Sequence, residues 1–462
     1  MSKFRVLASM LVLISLLAIA GSVENADVRT VAAGGDPGVQ IASIMEKEDA
    51  WVMWSFDRVP GSSISYNGDG PCRLVLGKKQ NYGTTSENDA FVDVLLELRN
   101  GEVADVKLAS QSCAIDGSGQ RIYQFTGMNP AKSIDTLAQL LGKGHPKKVR
   151  HNALTAVALH DHDSADTTLA NVVESGEYGK LAEQAVFWMG QARGAAGLGY
   201  LEQYAVNGDA KLRHHVTFGL YVSKEPGAQD ALYSMAREDS ADKVRAQAIF
   251  WLAQKGAPGI LDLIDEIIAE MPGKHLVEQS IFALSQIPDN GGISRLKELA
   301  NNHENGKIRA KALFWLAQEG GEEAFAMLEA VLKGNPSKAE AENALMLISQ
   351  TKSEGAAKLL LDTARKHENP KIRSNALFWL SQSAAEKISD TLLEAIEDDP
   401  DTEVKKQAVF GISQRPREEA IPMLAKLVRE HKNAAVRKQA IFWLGQLGGE
   451  EALAVIEEVM EQ

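Results

Sequence analysis

His160-Asp161-His162-Asp163 is a run of four residues whose side chains can ligate a transition-metal ion. It is the one local cluster of ligand types, it falls in the turn after a helical stretch, and no closed ligand set accompanies it. A structural role at that turn is expected. His303, His367 and His431 stand 64 residues apart at equivalent positions. Helical units stack about 8–10 Å apart, which separates these histidines by roughly 20 Å. A zinc–nitrogen bond is about 2 Å, so they cannot share one ion. His214-His215 occupies ordinary positions within a helix. Asp398-Asp399-Pro400-Asp401 lacks the glycine and the later glutamate of a calcium loop and reads as a helix cap. There is no phosphate-cradling glycine loop, nucleophile elbow or zinc-protease helix motif. Catalysis, a cofactor and a resident metal are therefore not expected.

The elements carrying these residues repeat. Val244-Arg-Ala-Gln-Ala-Ile-Phe-Trp-Leu-Ala-Gln254 returns at 308–318, 372–382, 404–414 and 436–446, and its last residue recurs every 32 residues from Gln254 to Gln446. A fixed period in this range means stacked units that bury their apolar faces only against neighbours. Aligning the motif Phe gives ten units, at Thr155, Phe187, Phe218, Phe250, Phe282, Phe314, Met346, Phe378, Phe410 and Phe442. Each unit reads as two helices: in one of them, 306–319 and 322–333 are helical and Gly320-Gly321 breaks between them. The fold class is thus an all-α solenoid of about ten 32-residue helix-pair repeats over residues 131–462, preceded by a small β-rich α+β region over 21–130.

Val-Arg opening the second helix, with Ala three residues after the Arg, resembles HEAT repeats: Val244-Arg245 with Ala248, Ile308-Arg309 with Ala312, Ile372-Arg373 with Ala376, Val436-Arg437 with Ala440. The short unit is similar to the HEAT-like repeats of phycocyanobilin lyases. The resemblance implies a protein-binding solenoid whose motif helices line a concave face. By analogy with the lyases it also implies an alternative, lyase or chromophore-handling activity, which rests on fold alone.

Helical period places Val244, Ala248, Trp251 and Leu252 toward the partner helix, Gln247, Phe250 and Gln254 on a flank, and Ala246 and Ala253 opposite the core. The column after the Phe alternates large and small: Trp188, Gly219, Trp251, Ala283, Trp315, Leu347, Trp379, Gly411, Trp443. That alternation reads as core packing, with a cost of about 3–5 kcal/mol for Trp315→Ala. The Phe column fits contact between successive units or, on the sharper reading, a partner surface built by Phe250, Phe282, Phe314 and Phe378, with Gln254 and Gln318 beside them. Asp209, Asn305, Asn369, Asp401 and Asn433 stand where helix N-caps belong. The Arg column (150, 213, 245, 309, 373, 437) is expected to bond the preceding turn.

The N-terminal region differs. Lys3 and Arg5 precede an apolar run, Val6 to Ala20, that ends in a small-x-small pattern. Residues 1–20 read as a secretory signal peptide, with an uncleaved anchor as the alternative. The only cysteines, Cys72 and Cys113, then read as one disulfide, the alternative being two buried thiols. Trp51 to Arg58 alternates with period two, which is taken to put Trp51 and Trp54 on one strand face; 72–76, 91–98, 103–108 and 121–125 read as strands, Arg99-Asn100-Gly101-Glu102 as a hairpin turn, and 34–38 and 61–70 as loops.

A net charge of −13 excludes a phosphate-binding footprint, and with it nucleic acid. The expected function is a non-enzymatic scaffold, exported to the periplasm or the cell surface, without a membrane span after signal cleavage. Its partner is a protein, bound on the concave face. A further reading puts binding in the β-rich region and leaves the solenoid as a spacer.

Overall fold

A computed structural model describes residues 22–62, 72–77, 89–176, 179–270, 273–319, 322–334, 338–351, 354–382 and 388–460. The expected signal peptide and most of the 61–70 loop lie outside the described residues. The chain forms two compact units, Met1–Ala257 and Pro258–Gln462, and the expected boundary at 130 falls inside the first.

Among the described residues the first unit opens with eight strands: β1 (Val23–Glu24), β2 (Asp27–Ala32), β3 (Ala50–Asp57), β4 (Arg73–Val75), β5 (Phe91–Arg99), β6 (Glu102–Ser110), β7 (Ala114–Asp116) and β8 (Arg121–Thr126). A mixed sheet of order β2-β8-β3-β5-β6 packs on a smaller sheet of order β1-β7-β4. The β5–β6 turn is the expected hairpin. Asn100 and Gly101 both take positive φ, 55° and 76°, which the right-handed twist of the flanking strands requires. Sequence patterning missed helix α1 (Pro37–Met45), whose N-cap Asp36 lies within the stretch read as loop. It also missed β1, β2 and β7, which are short or lie at sheet edges.

Trp51 and Trp54 lie on opposite faces of β3, not on one. A spacing of three flips the side chain. Trp51 packs with Met53, Leu74, Cys72, Cys113 and Ile115 between the sheets. Trp54 points the other way and its Nε1–H donates to Ser133 Oγ at 2.6 Å. Ala50 to Trp54 are all buried because both faces of the strand are covered.

Helices follow in the first unit: α2 (Pro130–Gln139), α3 (Lys147–Leu159), α4 (Asp163–Glu174), α5 (Lys180–Ala192), α6 (Gly194–Asn207), α7 (Ala210–Val222), α8 (Gly227–Glu238) and α9 (Asp242–Gln254). The edge strand β6 is covered by α3, where Asn152 Nδ2–H donates to Val106 O at 2.7 Å and Lys148 pairs with Asp105 at 2.6 Å. A capped edge cannot recruit a stray strand.

The second unit contains α10 (Ile260–Glu270), α11 (Lys274–Ser285), α12 (Ile293–Asn302), α13 (Gly306–Glu319), α14 (Glu322–Lys333), α15 (Lys338–Gln350), α16 (Glu354–Lys366), α17 (Pro370–Ser381), α18 (Ile388–Asp398), α19 (Thr402–Ser413), α20 (Arg417–Glu430), α21 (Ala434–Leu447) and α22 (Glu450–Met460). The odd-numbered helices from α3 onward carry the motif, and the even-numbered ones are their partners. Within each unit a motif helix packs on its partner and on the next motif helix, whereas successive partner helices touch sparingly.

That arrangement corrects two expectations for the motif helix. Ala246 and Ala253, placed opposite the core, are buried, because the helix is flanked by its partner and by the preceding motif helix. The Trp column, placed in the core, is half-buried: Trp188, Trp251, Trp315, Trp379 and Trp443 all keep some exposure. The small members of that column, Gly219, Ala283 and Gly411, are buried, as is Leu347.

Candidate functional site

The histidine cluster resolves into two structural devices. His160 is 1 % exposed and stacks on Phe56, with ring centroids 3.6 Å apart and planes 6° from parallel. Ser133 Oγ–H donates to its Nε2 at 2.7 Å and its Nδ1–H donates to Ala156 O at 2.7 Å. Burial pushes the imidazole down to about 4, with Arg193 adding repulsion and the bond to Ala156 opposing the shift. Serine beside histidine is the geometry of a nucleophile and its base. Ser133 is 0 % exposed and already accepts from Trp54, so no substrate reaches it. The trio Trp54–Ser133–His160 instead locks the sheet to the first helices. His162 Nδ1 accepts from Ser164 N at 3.1 Å and caps α4.

Arg193 holds the same turn. Its guanidinium donates to His160 O at 2.6 Å, His162 O at 3.1 Å and both oxygens of Asp166, at 2.6 and 3.1 Å. Among the described residues no three ligand-type side chains converge on a point.

The recurring histidines have a use that periodicity alone did not show. His303, His367 and His431 each accept at Nδ1 from a backbone N–H two residues on, at Asn305, Asn369 and Asn433, over 3.0–3.1 Å. The other nitrogen donates to Leu332 O from His367 and to Ile396 O from His431. Asp239 and Asp399 occupy the same repeat position and do the same work, accepting from Ala241 N and Asp401 N at 2.8 Å. Metal binding would compete with these bonds.

The Arg column bonds the preceding turn as expected. Arg309, Arg373 and Arg437 each donate from Nη1 to two carbonyls of the turn before their helix. Arg213 and Arg373 additionally form buried bidentate pairs with Asp239 and Asp399, each 26 residues on. Burial alone would raise the Asp399 carboxyl, but the hydrogen bonds from Arg373 and Asp401 N hold it below the usual carboxylate range. Asp209, Asn305, Asn369, Asp401 and Asn433 cap their helices with their side chains.

The Phe column forms a half-buried aromatic ladder. Within one helix each Trp packs edge-on against its own Phe: Phe187–Trp188, Phe250–Trp251, Phe314–Trp315, Phe378–Trp379 and Phe442–Trp443, at 4.8–5.1 Å. Between helices the Trp reaches back to the preceding Phe: Phe218–Trp251 at 5.0 Å, Phe282–Trp315 at 4.5 Å, Phe410–Trp443 at 5.2 Å. Phe187–Phe218 and Phe378–Phe410 stack at 5.8 and 6.0 Å. The large members of the alternating column thus have a physical use: Trp251, Trp315 and Trp443 each bridge two phenyls. Of the expected contact residues, Phe250 and Gln254 lie on α9 in the first unit. Phe282 on α11, Phe314 and Gln318 on α13, and Phe378 on α17 lie in the second. Gln318 is exposed and the four phenylalanines are half-buried. Tyr221, stacked on Trp251 at 4.5 Å, belongs to the ladder and was missed because it stands outside the column.

No curated protein matches the chain. Among solved structures, human deoxyhypusine hydroxylase in complex with glycerol is 18 % identical over 62 % of this chain and 96 % of that one, at a TM-score of 0.23. Kap121p bound to Pho4p is 12 % identical over 72 % and 44 %, at 0.40, and importin beta is 13 % identical over 72 % and 49 %, at 0.33. This chain spans less than half the length of the latter two, and likenesses this distant carry nothing about activity or partners. Residues 229–317 and 389–462 match the HEAT-repeat family. Over those stretches the chain is similar to HEAT repeats.

Proposed function

We propose that the protein is a non-enzymatic interaction scaffold, built of ten repeats of 32 residues, that binds a protein partner through the Phe column of each compact unit. Phe250, Phe282, Phe314 and Phe378 make the contacts, and Gln254 and Gln318 bond the partner's backbone. The observation that supports this reading is the ladder itself. Rings that are half-exposed yet fixed by neighbouring rings lose little freedom on binding, which is what an anchor for another protein needs. The cysteine pair and the charged-then-apolar N-terminus support action outside the cytoplasm, in the periplasm or at the cell surface.

Cross-linking in living cells, followed by mass spectrometry, tests the reading. Phe314→Lys and Phe378→Lys should each abolish the cross-link to the main partner while the helical circular dichroism stays unchanged. Undiminished capture by both variants refutes the face. Sequencing of the purified chain should begin at Gly21; an intact N-terminus in the cytosolic fraction refutes export.

A further inference from the structure

The first two motif helices frame a groove whose lysines, unlike two of those in the similar groove between α11 and α13, are not paired with its own carboxylate. It lies between α3 and α5 and encloses about 770 Å³. Phe187, Trp188 and Leu181 give it an apolar base, and Lys147, Arg150 and Lys180 stand around it. One carboxylate, Glu183, lines it, and that side chain also lies 3.4 Å from His215. Three cations to one anion, on a chain of net charge −13, make this a cationic spot in an acidic protein.

Two further observations point the same way. Lys147 and Lys180 each open their helix, and neither helix has a side-chain cap, at Pro146 or at Gly179. The first backbone N–H groups of both helices therefore still want acceptors, and the helix dipoles add to the lysines. The later motif helices at Asp209, Asn369, Asp401 and Asn433 spend that capacity on their own Asp or Asn, whereas α9 and α11 share the uncapped start. Among the described residues, Lys147 and Lys180 take part in no ion pair. At the groove wall Gln184 Oε1 is buried without a hydrogen-bond partner; Trp188 Nε1 is too, a trait it shares with Trp251, Trp315 and Trp443.

We propose that this groove docks an extended acidic peptide segment, with an aromatic or large aliphatic side chain on Phe187 and Trp188 and flanking Asp or Glu carboxylates on Lys147, Arg150 and Lys180. Charge complementarity selects the occupant. Carboxylates satisfy the lysines and the uncapped helix ends together, and an apolar side chain covers the rings. A nucleic acid would bring phosphates to the same cations, but the surrounding acidic surface repels a long polyanion. The site narrows the scaffold reading to one partner chemistry, yet lies on different residues from the Phe contacts proposed above.

The test pans a phage-displayed library of random peptides against the full chain, then measures the enriched peptide by fluorescence anisotropy. Enriched sequences should pair acidic residues with an aromatic or Leu. Binding should weaken about tenfold or more for the Lys147→Glu/Lys180→Glu double variant, weaken with added salt, and be unchanged for Lys432→Glu, an exposed lysine of the second unit. Both lysines are exposed, so the double variant keeps the fold, which circular dichroism checks. Enriched peptides that bind the double variant equally well overturn the groove and leave the scaffold reading standing. An absence of enriched acidic peptides also overturns it, without touching the cross-linking result. Oligo-dT that displaces the peptide and binds more tightly assigns the groove to nucleic acid instead.

Discussion

Ser133 Oγ lies 2.7 Å from His160 Nε2, in a site where neither residue reaches solvent. The pair joins α2 to the end of α3, and through Trp54 it joins both to the sheet. Its imidazole must stay neutral, because a charge there would be buried beside Arg193.

That requirement sets a pH dependence. The unfolded histidine titrates near 6.5 and the folded one near 4. A folded value below the unfolded one means stability is intact above pH 6.5 and is lost as pH falls toward 4. The loss is up to about 3 kcal/mol from this group. Urea melts at neutral and acidic pH should show a steeper decline for the native chain than for His160→Gln. Parallel declines would show that the histidine is not held neutral.

Arg373 and Asp399 form a buried pair, with side chains 9 % and 7 % exposed. Arg373→Ala strands the carboxylate and should cost about 3–5 kcal/mol. Arg429→Ala breaks a solvent-exposed pair with Glu458 and should leave the melting temperature unchanged. Similar losses in the two variants would contradict the burial difference.

Trp315 bridges Phe282 and Phe314 while half-buried. Trp315→Ala should cost about 2–3 kcal/mol, below the range for a full core ring. Trp315→Phe should cost under about 1 kcal/mol, because the buried Nε1 has no acceptor to lose. A Trp315→Phe loss approaching that of Trp315→Ala, by denaturant titration, would reveal a partner for the indole N–H.

Cys72 and Cys113 sit at disulfide distance, with Cα atoms 4.6 Å apart and a sequence separation of 41. Closing such a loop stabilises by roughly 4 kcal/mol through the unfolded chain. Alkylation of the unfolded, unreduced chain should add no mass, and reductant should lower the melting temperature. Two added labels before reduction would mean the bond does not form.

Gly190 and Gly445 occupy the same motif position, two residues after the Trp. A Cβ at Gly190 would stand 1.9 Å from Gly219 O, so α5 and α7 would have to separate. Gly190→Ala should cost about 1–3 kcal/mol despite the better helix former. At Gly445 nothing stands within 4 Å, and Gly445→Ala should stabilise by up to about 1 kcal/mol. Melting temperatures moving in the same direction would refute the close crossing.

Much of the architecture was legible in the residues. The 32-residue recurrence of the motif and the Asn and Asp caps are local signals, and local hydrogen bonding decides where a helix starts; the expected break at Gly320-Gly321 lies outside the described residues. Asn100-Gly101 likewise settled its hairpin, since both residues tolerate positive φ. The arginine role was legible too, because its acceptors lie in the adjoining turn.

What tertiary structure alone decided is how the repeats sit against one another. Helical period placed the Trp column inward and Ala246 and Ala253 outward, but a motif helix has neighbours on more than one side, and small residues go where two backbones meet. The faces of Trp51 and Trp54 depended on a second sheet, and His160 became a neutral lock rather than a ligand through contact with Ser133 and Phe56. The cationic groove at Lys147 and Lys180 also escaped sequence reading, because it depends on uncapped helix ends and on the spacing of two helices. Sequence determines the repeating element, whose bonds are local. Burial, ionisation and open surface depend on residues far along the chain, which only the packed fold brings together.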